Sequence, residues 1–240
     1  MNQNTLEQLH AMKLFGMANS FKALIESHSL EQYTHDQMVA ALVQAEWEGR
    51  EHKKIAHNIS QAKFRYTASI EEIDYTYPRN LDKNQMLRFT DCSYIKNAEN
   101  ILVSGATGVG KSYIISALGY QACIMGYKVG YYNLQKLLTA LRIAKADGSY
   151  LKTLSRIEKQ DLLILDDYGL QPLDNNACIN LLELIEDRYG RRATIMSSQL
   201  PFDKWYDICT AKTIADAIFD RLINGSHKIQ LKGESMRKKR

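Results

Sequence analysis

Several absences narrow what this 240-residue chain can be. No apolar run approaches the ~18 residues that a bilayer-spanning helix needs, and Met1-Asn2-Gln3-Asn4 opens with neither a basic segment nor the apolar stretch of a secretion signal. A cytoplasmic protein without a membrane partner is expected. The four cysteines, Cys92, Cys123, Cys178 and Cys209, lie far apart and form no C-x-x-C pair. They are expected to be small buried thiols in a reducing compartment, which argues against a disulfide framework or a zinc site. Repeats and low-complexity tracts are absent, and residues 4–64 hold no proline and few glycines. Against these absences stands a 45% share of hydrophobic residues, enough for one large domain or one domain with a smaller appendage.

What is present is more specific. Gly105-Ala106-Thr107-Gly108-Val109-Gly110-Lys111-Ser112 fits G-x-x-x-x-G-K-[ST] and lies between an apolar run, Ile101 to Gly105, and a stretch of helical spacing. The glycines allow backbone N–H groups to face inward around an anion. Lys111 would set a point charge at the β- and γ-phosphates, and Ser112 would offer a hydroxyl to Mg²⁺. The following helix would aim its positive end at the same place. Ile114, Ile115, Leu118, Ala122 and Met125 mark its packing face.

A second run, Asp161-Leu162-Leu163-Ile164-Leu165-Asp166-Asp167, reads as a buried strand ending in two acids, with Asp166 lying 55 residues after Lys111. Asp166 is placed to hold Mg²⁺ directly or through water, and Asp167 to orient the water that attacks the γ-phosphate. The pattern alternates strand and helix around these motifs. Strands are expected at 101–105, 128–132, 161–166, 194–198 and 228–231, in a parallel sheet with crossover helices. A helix over 174–189 would be capped by Asp174 and packed through Cys178, Leu181, Leu182, Ile185 and Tyr189. At the end of the fourth strand, Ser198 or Gln199 would sense the γ-phosphate or align water. Arg221 sits at the edge of the stripe Ile214, Ile218, Leu222, where pairing with Asp216 or Asp220 is an equally good reading. No Asn-Lys-x-Asp sequence occurs, which argues weakly for adenine over guanine.

Ahead of the core, residues 1–66 read as a helical domain, with Leu6, Leu9, Leu14, Phe15, Met38, Leu42, Ala45 and Trp47 at helical spacing. A long helix over 35–64 would carry Arg50, Lys53, Lys54, His57 and Lys63 as either a basic face or a solvated stripe. Residues 67–98, with Pro78, Asn80 and Asp82, read as a linker into a core domain at 99–231, and residues 232–240 as a basic tail. The net charge is only +4, yet residues 135–160 and 232–240 each hold a local excess of four positive charges. Segregation of this kind suits a polyanion at one surface, although the tail serves equally as a solubilising segment.

These motifs together resemble a known family. The run Gly105 to Ser112, the segment Leu162 to Gly169 followed by Pro172-Leu173, Arg188-Tyr189 ahead of Arg191-Arg192-Ala193-Thr194-Ile195, and Ser198-Gln199-Leu200-Pro201 are similar to the IstB-type ATPases. These are AAA+ proteins of bacterial insertion sequences that assist a transposase, related to DnaC-type helicase loaders and more remotely to DnaA initiators. The resemblance implies an α/β P-loop NTPase of AAA+ type, with a five-stranded parallel sheet flanked by helices, a small N-terminal all-α domain and no C-terminal lid. It implies an ATP- and Mg²⁺-dependent ATPase that assembles as a homo-oligomer on duplex DNA and recruits or activates a partner transposase. Lys111, Ser112, Asp166, Asp167 and Gln199 match the family's catalytic positions, and Arg221 matches an arginine finger acting on a neighbour's ATP. Lys136, Arg142 and Lys145 fall where relatives contact DNA, and the N-terminal helices would meet other subunits or the transposase.

Two departures stand out. The acid at 167 is Asp where most AAA+ proteins have Glu, and only 19 residues follow Arg221, too few for the usual lid. A helicase loader is the main alternative, and a small-molecule nucleotide kinase a weaker one, since no arginine-rich lid or acceptor pocket is evident.

Overall fold

Along each strand of the core the side chains divide between two apolar layers, which is why the strands read as continuous hydrophobic runs. In the computed structural model, which describes residues 2–27 and 32–236, Ile101, Val103, Leu162, Ile164, Ala193, Ile195 and Ile229 join one buried cluster. Leu102, Leu163, Leu165 and Met196 join the other. The strands are β1 (Asn100–Ser104), β2 (Val129–Asn133), β3 (Leu162–Tyr168), β4 (Ala193–Ser198) and β5 (Ser226–Gln230). They form one parallel sheet in the order β2-β3-β4-β1-β5.

Ten α-helices are present among the described residues, and some of them cover the two faces of the sheet. In chain order they are α1 (Asn2–Ala11), α2 (Phe15–Glu26), α3 (His35–Ala62), α4 (Lys83–Arg88), α5 (Ser93–Lys96), α6 (Lys111–Ile124), α7 (Leu134–Asp147), α8 (Tyr150–Glu158), α9 (Asn175–Arg188) and α10 (Lys212–Ile223). The first layer is covered by α6, which buries Ile114, Ile115, Leu118 and Ala122, while Met125 caps the helix and stays about half exposed. The second is covered by α7, α9 and α10 through Leu134, Leu141, Leu181, Ile185, Ile218 and Leu222. Asp174 caps α9 as expected, accepting from the Ala177 N–H at 2.8 Å. Tyr189 is exposed and its predecessor Arg188 takes the buried place, because the helix ends there and Tyr189 has left the helical conformation.

Arg188 shows how a charged side chain is accommodated inside. Its guanidinium donates to Thr194 Oγ1 (3.1 Å) and to the carbonyls of Gln160 (3.0 Å), Asp161 (3.3 Å) and Ala193 (2.6 Å), tying α9 to the entry ends of β3 and β4.

The chain divides into two compact units, Met1–His57 and Asn58–Arg240, so the division falls inside α3 rather than at residue 66. In the first unit the backbone N–H groups of Gly16 and Met17, at the start of α2, donate to Glu46 Oε2 of α3 at 2.7 and 3.2 Å. Glu46 thereby caps a helix whose own preceding residue, Leu14, supplies no side-chain bond. Arg50, 2.7 Å away, and then these N–H groups hold the Glu46 carboxyl below its ordinary pKa. The approach is close enough that a Cβ on Gly16 would stand 2.4 Å from the Ala45 carbonyl oxygen.

In the second unit the segment expected as a linker, 67–98, proves to be core. Ala68, Ile70, Ile73, Met86, Phe89, Cys92, Tyr94 and Ile95 are buried with the residues of α6. It builds this layer from turns and two short helices, so no periodicity announces its burial. All four cysteines are buried free thiols, and burial pushes Cys92 up to about 11 and Cys123 up to about 12.

Truncating Arg188 leaves several interior carbonyls without their donor. Arg188→Ala is expected to cost about 3 kcal/mol in urea unfolding, whereas a surface change such as Arg156→Ala stays within about 0.5 kcal/mol.

Candidate nucleotide-binding site

The sheet order determines which motifs meet. β4 lies between β1 and β3, so the glycine loop leaving β1 and the acids ending β3 are two strand spacings apart, roughly 10 Å. A phosphate group with its counter-ion fits that interval. The intervening strand delivers Ser197 and Ser198 to the same edge, with Gln199 directly after.

The loop is formed as its sequence predicts. Gly108 and Gly110 take left-handed conformations, φ 87° and 97°, and Gly110 stands at the N-terminus of the 14-residue helix α6. Lys111 folds its Nζ back onto the carbonyls of Gly105 (2.7 Å) and Ala106 (2.9 Å). Thr107 Oγ1 donates to Gln199 Oε1 at 2.6 Å, joining loop and fourth strand. Thr107, Gly108, Lys111, Ser112, Asp167 and Gln199 line one cavity of about 860 Å³, a volume suited to a nucleotide. Tyr66, Glu72 and Tyr113 line it as well, with the two rings 6.3 Å apart and the Tyr113 hydroxyl donating to Glu72 at 3.2 Å.

Asp166 is 1% exposed and does not line the cavity. Its Oδ1 accepts from the Ser197 hydroxyl and from the Asp167 N–H at 3.0 Å, and its Oδ2 accepts from the Tyr131 hydroxyl. Burial, the negative charge of Asp166 and the hydrogen bond to it push the Tyr131 phenol far above its ordinary value, so it remains a donor. In a regular strand Asp167 would point to the opposite face. Here the register with β4 shifts between Leu165 and Tyr168, and Asp167 is left-handed at φ 65°, which turns its carboxylate back beside Asp166. Asp tolerates this backbone better than Glu does, which accounts for the short acid at 167. Asn133 Nδ2 donates to Asp167 Oδ2 at 3.1 Å.

Other residues at the site carried no signal of spacing. Arg65 reaches both acids, with Nη1 3.6 Å from Asp166 Oδ2 and 3.0 Å from Asp167 Oδ2. Burial pulls its pKa down, but the charges of Asp167 and Asp166 outweigh that and raise it. Arg79 is buried beneath the loop, donating to the carbonyls of Val109 (3.2 Å) and Asp74 (2.8 Å). A Cβ on Gly110 would lie 2.5 Å from its Nη1. Residues 231–236 run past the loop, with backbone N–H bonds from Leu231 to Ser104, from Lys232 to Arg79 and from Met236 to Gly108. The remaining basic tail, Arg237 to Arg240, lies outside the described residues. Ser198, in contrast, is committed to structure: it donates to the Tyr168 carbonyl at 2.7 Å and accepts from the Leu200 N–H at 3.1 Å.

Mg²⁺ prefers hard oxygen ligands and is commonly held by one or two carboxylates together with substrate phosphates. Asp166, Asp167 and the Ser112 hydroxyl match that donor set. Among the described residues no three His, Cys, Asp or Glu side chains gather into a group that could hold a metal ion.

Arg221 is not part of this cavity. Asn100, the first residue of β1, donates to the Arg221 carbonyl at 3.3 Å, so Arg221 lies at the sheet end opposite the loop. Its guanidinium pairs with Glu186 of α9 rather than with Asp216 or Asp220, and donates to the Ala217 carbonyl at 2.8 Å. Lys136, Arg142 and Lys145 are exposed on α7, with Lys145 Nζ 3.9 Å from Glu183 and 4.4 Å from the Tyr150 ring centroid. Along α3, Arg50 and Lys54 are engaged by Glu46 and Glu51, leaving a mixed stripe rather than a uniformly basic one.

Fold and site together define a P-loop domain of AAA+ type. The crystal structure of the DnaC helicase loader superposes with a TM-score of 0.56 over 69% of this chain and 97% of that one, at 17% identity. The AMPPCP-bound DnaA of Aquifex aeolicus gives 0.59 over 70% of this chain and 51% of that one, also at 17% identity. The particular family follows from the sequence. The model of the IstB-like ATP binding proteins matches residues 7–240, and y4pL of Sinorhizobium fredii, named as an insertion sequence ATP-binding protein, is 41% identical over 234 residues, covering 98% of this chain and 96% of that protein. The chain belongs to the IstB-like ATP-binding protein family. Among the described residues no helix is long and apolar enough to cross a membrane.

Removing the loop cation tests the site directly. Lys111→Ala is expected to weaken binding of a fluorescent ATP analogue by about 100-fold, the equivalent of about 2.7 kcal/mol of lost charge-assisted bonding. Unchanged affinity in a titration would contradict the assignment.

Proposed function

We propose that this chain is an ATPase that assembles on duplex DNA in its ATP-bound form and assists a transposase of its own insertion sequence. The observation that carries the reading is membership of an insertion-sequence ATP-binding family in a chain whose phosphate loop and paired acids share one sheet edge. The nucleoside end of ATP belongs in the part of the cavity beside Tyr66, Glu72 and Tyr113, and the phosphates at the loop and the N-terminus of α6.

Lys111 leaves its two carbonyls to bind phosphate oxygens. The Ser112 hydroxyl and Asp166 would hold Mg²⁺, which when bound supplies positive charge to the oxygens that gain charge in the transition state. Asp167, fixed by Asn133 and by its bulged backbone, accepts a hydrogen bond from the attacking water and aligns it. Gln199, already bonded to Thr107, is in reach of the terminal phosphate and reports its presence to the fourth strand.

The place of Arg221, remote from its own cavity, supports a role in the cavity of a neighbouring copy. Nucleotide bound in such a joint stabilises only the joined form, which links ATP to assembly. Lys136, Arg142 and Lys145 on α7 are the proposed DNA contacts. In the first unit, Val39, Val43 and Trp47 follow one another at four-residue spacing on α3 and are each more than half exposed, which supports contact with a subunit or the transposase there. The likeness to the DnaC loader concerns fold alone, whereas the family relatives are insertion-sequence proteins, which favours transposition over helicase loading.

Light scattering of the purified protein on linear duplex is the primary test. Large particles are expected with ATP, and small ones with ADP or without nucleotide. A protein that stays monomeric on DNA in every nucleotide state refutes the proposal.

The joint has its own test. Arg221→Ala is expected to keep ATP binding and lose DNA-stimulated turnover by at least about 10³-fold. Mixing it with the Lys111→Ala protein should restore part of the activity, because mixed joints pair one intact loop with one intact arginine. No recovery on mixing would place Arg221 outside the neighbour's site.

A further inference from the structure

Arg65 is a cation inside the proposed ATP site that neither the glycine loop nor the acidic strand accounts for. It follows the end of α3 by three residues, lines the same cavity as Lys111, Ser112 and Gln199, and holds Asp166 and Asp167 with one guanidinium nitrogen. Its side chain is 44% exposed, so it can rotate without breaching the core. The buried partners of Asp166 are neutral: Ser197, Tyr131 and a backbone N–H. Arg65 therefore supplies the full positive charge that answers the acid pair.

A divalent cation held at Asp166 would compete for the same carboxylate, because the Arg65 nitrogen lies only 3.6 Å from Oδ2. Like charges at that range repel, and the guanidinium is the mobile member. The carboxylates of Glu72 and Asp74 also line the cavity, but the terminal phosphate of a bound triphosphate arrives together with the cation that displaces the guanidinium, and a planar fork of N–H donors can make paired charge-assisted bonds with it. The phosphates of ADP stop short of that place.

We propose that Arg65 is a nucleotide-discriminating residue acting within its own subunit: it pairs with Asp166 and Asp167 until Mg²⁺ and ATP enter, then transfers to the γ-phosphate, so that ATP is bound in preference to ADP. The inference rests on the ATP-binding reading given above and assigns to that site the residue that distinguishes its two nucleotide states.

The test is a set of binding titrations with fluorescent ATP and ADP analogues, with Mg²⁺ or with EDTA, on wild type, Arg65→Ala and Arg65→Lys. With Mg²⁺, wild type is expected to prefer ATP, and Arg65→Ala to lose about 10-fold or more in ATP affinity while ADP affinity changes by less than about 2-fold. Arg65→Lys, keeping the charge without the fork, should fall between them. In EDTA the wild-type preference should shrink towards that of Arg65→Ala, because nothing then draws the guanidinium from the acids. A purely structural role for Arg65 predicts equal losses for both nucleotides and no Mg²⁺ dependence of the ratio, and either result overturns the inference. Equal wild-type affinities for ATP and ADP overturn it as well. Circular dichroism melting of both variants separates loss of the fold from loss of discrimination. If Lys111→Ala weakens binding as expected while Arg65→Ala keeps the wild-type ratio, only this inference fails; if Lys111→Ala also binds normally, the ATP site itself is misassigned.

Discussion

A carboxylate almost sealed from water must be met by donors on every side, and the site in this protein is organised around that requirement at Asp166. Ser197 comes from the neighbouring strand β4, Tyr131 from β2 on the other side, and the Asp167 N–H from the bulge that also redirects the second acid. Each donor depends on strand order and register. The interior position of β3, flanked by β2 and β4, is therefore a condition of the site's arrangement and not only of stability.

The phosphate loop is supported in a different way. Its glycines leave no side-chain volume around the backbone, so stiffness must be supplied by neighbours. Arg79 fills the space beside Gly110 and bonds Val109, while the Met236 N–H bonds the Gly108 carbonyl and its sulfur meets Arg79. These supports come from the segment before the sheet and from the residues after its last strand. Chain far from the motif in sequence thus sets the shape in which the loop presents its N–H groups, which bears on how firmly an anion can be held.

The position of Arg221 gives the proposed assembly its physical logic. An arginine at the sheet end opposite its own loop can act on phosphate only by presenting itself to another molecule. Its pairing with Glu186 keeps the charge compensated in the single chain. The Glu186 side of this pair is exposed, and exchanging a partner at the surface costs little, since exposed pairs contribute at most about 1 kcal/mol. A joint between copies can therefore recruit the guanidinium without a large penalty.

Much of the core was legible in the residues themselves. The loop from Gly105 to Ser112, the strand ending at Asp166 and Asp167, and the cap at Asp174 depend on local backbone chemistry, and local patterns carry them. The five strands were legible because a sheet covered on both faces demands continuous apolar runs. Arg65, Arg79, Tyr131 and Ser197 were not, since a residue brought to a site by strand order or by a non-periodic segment has no spacing that marks it. The same reason hid the burial of residues 67–98. Sequence by itself determined the parts proposed to recognise phosphate, because their conformation is set within a few residues of the chain. Tertiary structure alone decided which side chains surround the acids and that Arg221 stands away from them, because those distances depend on how the strands pair.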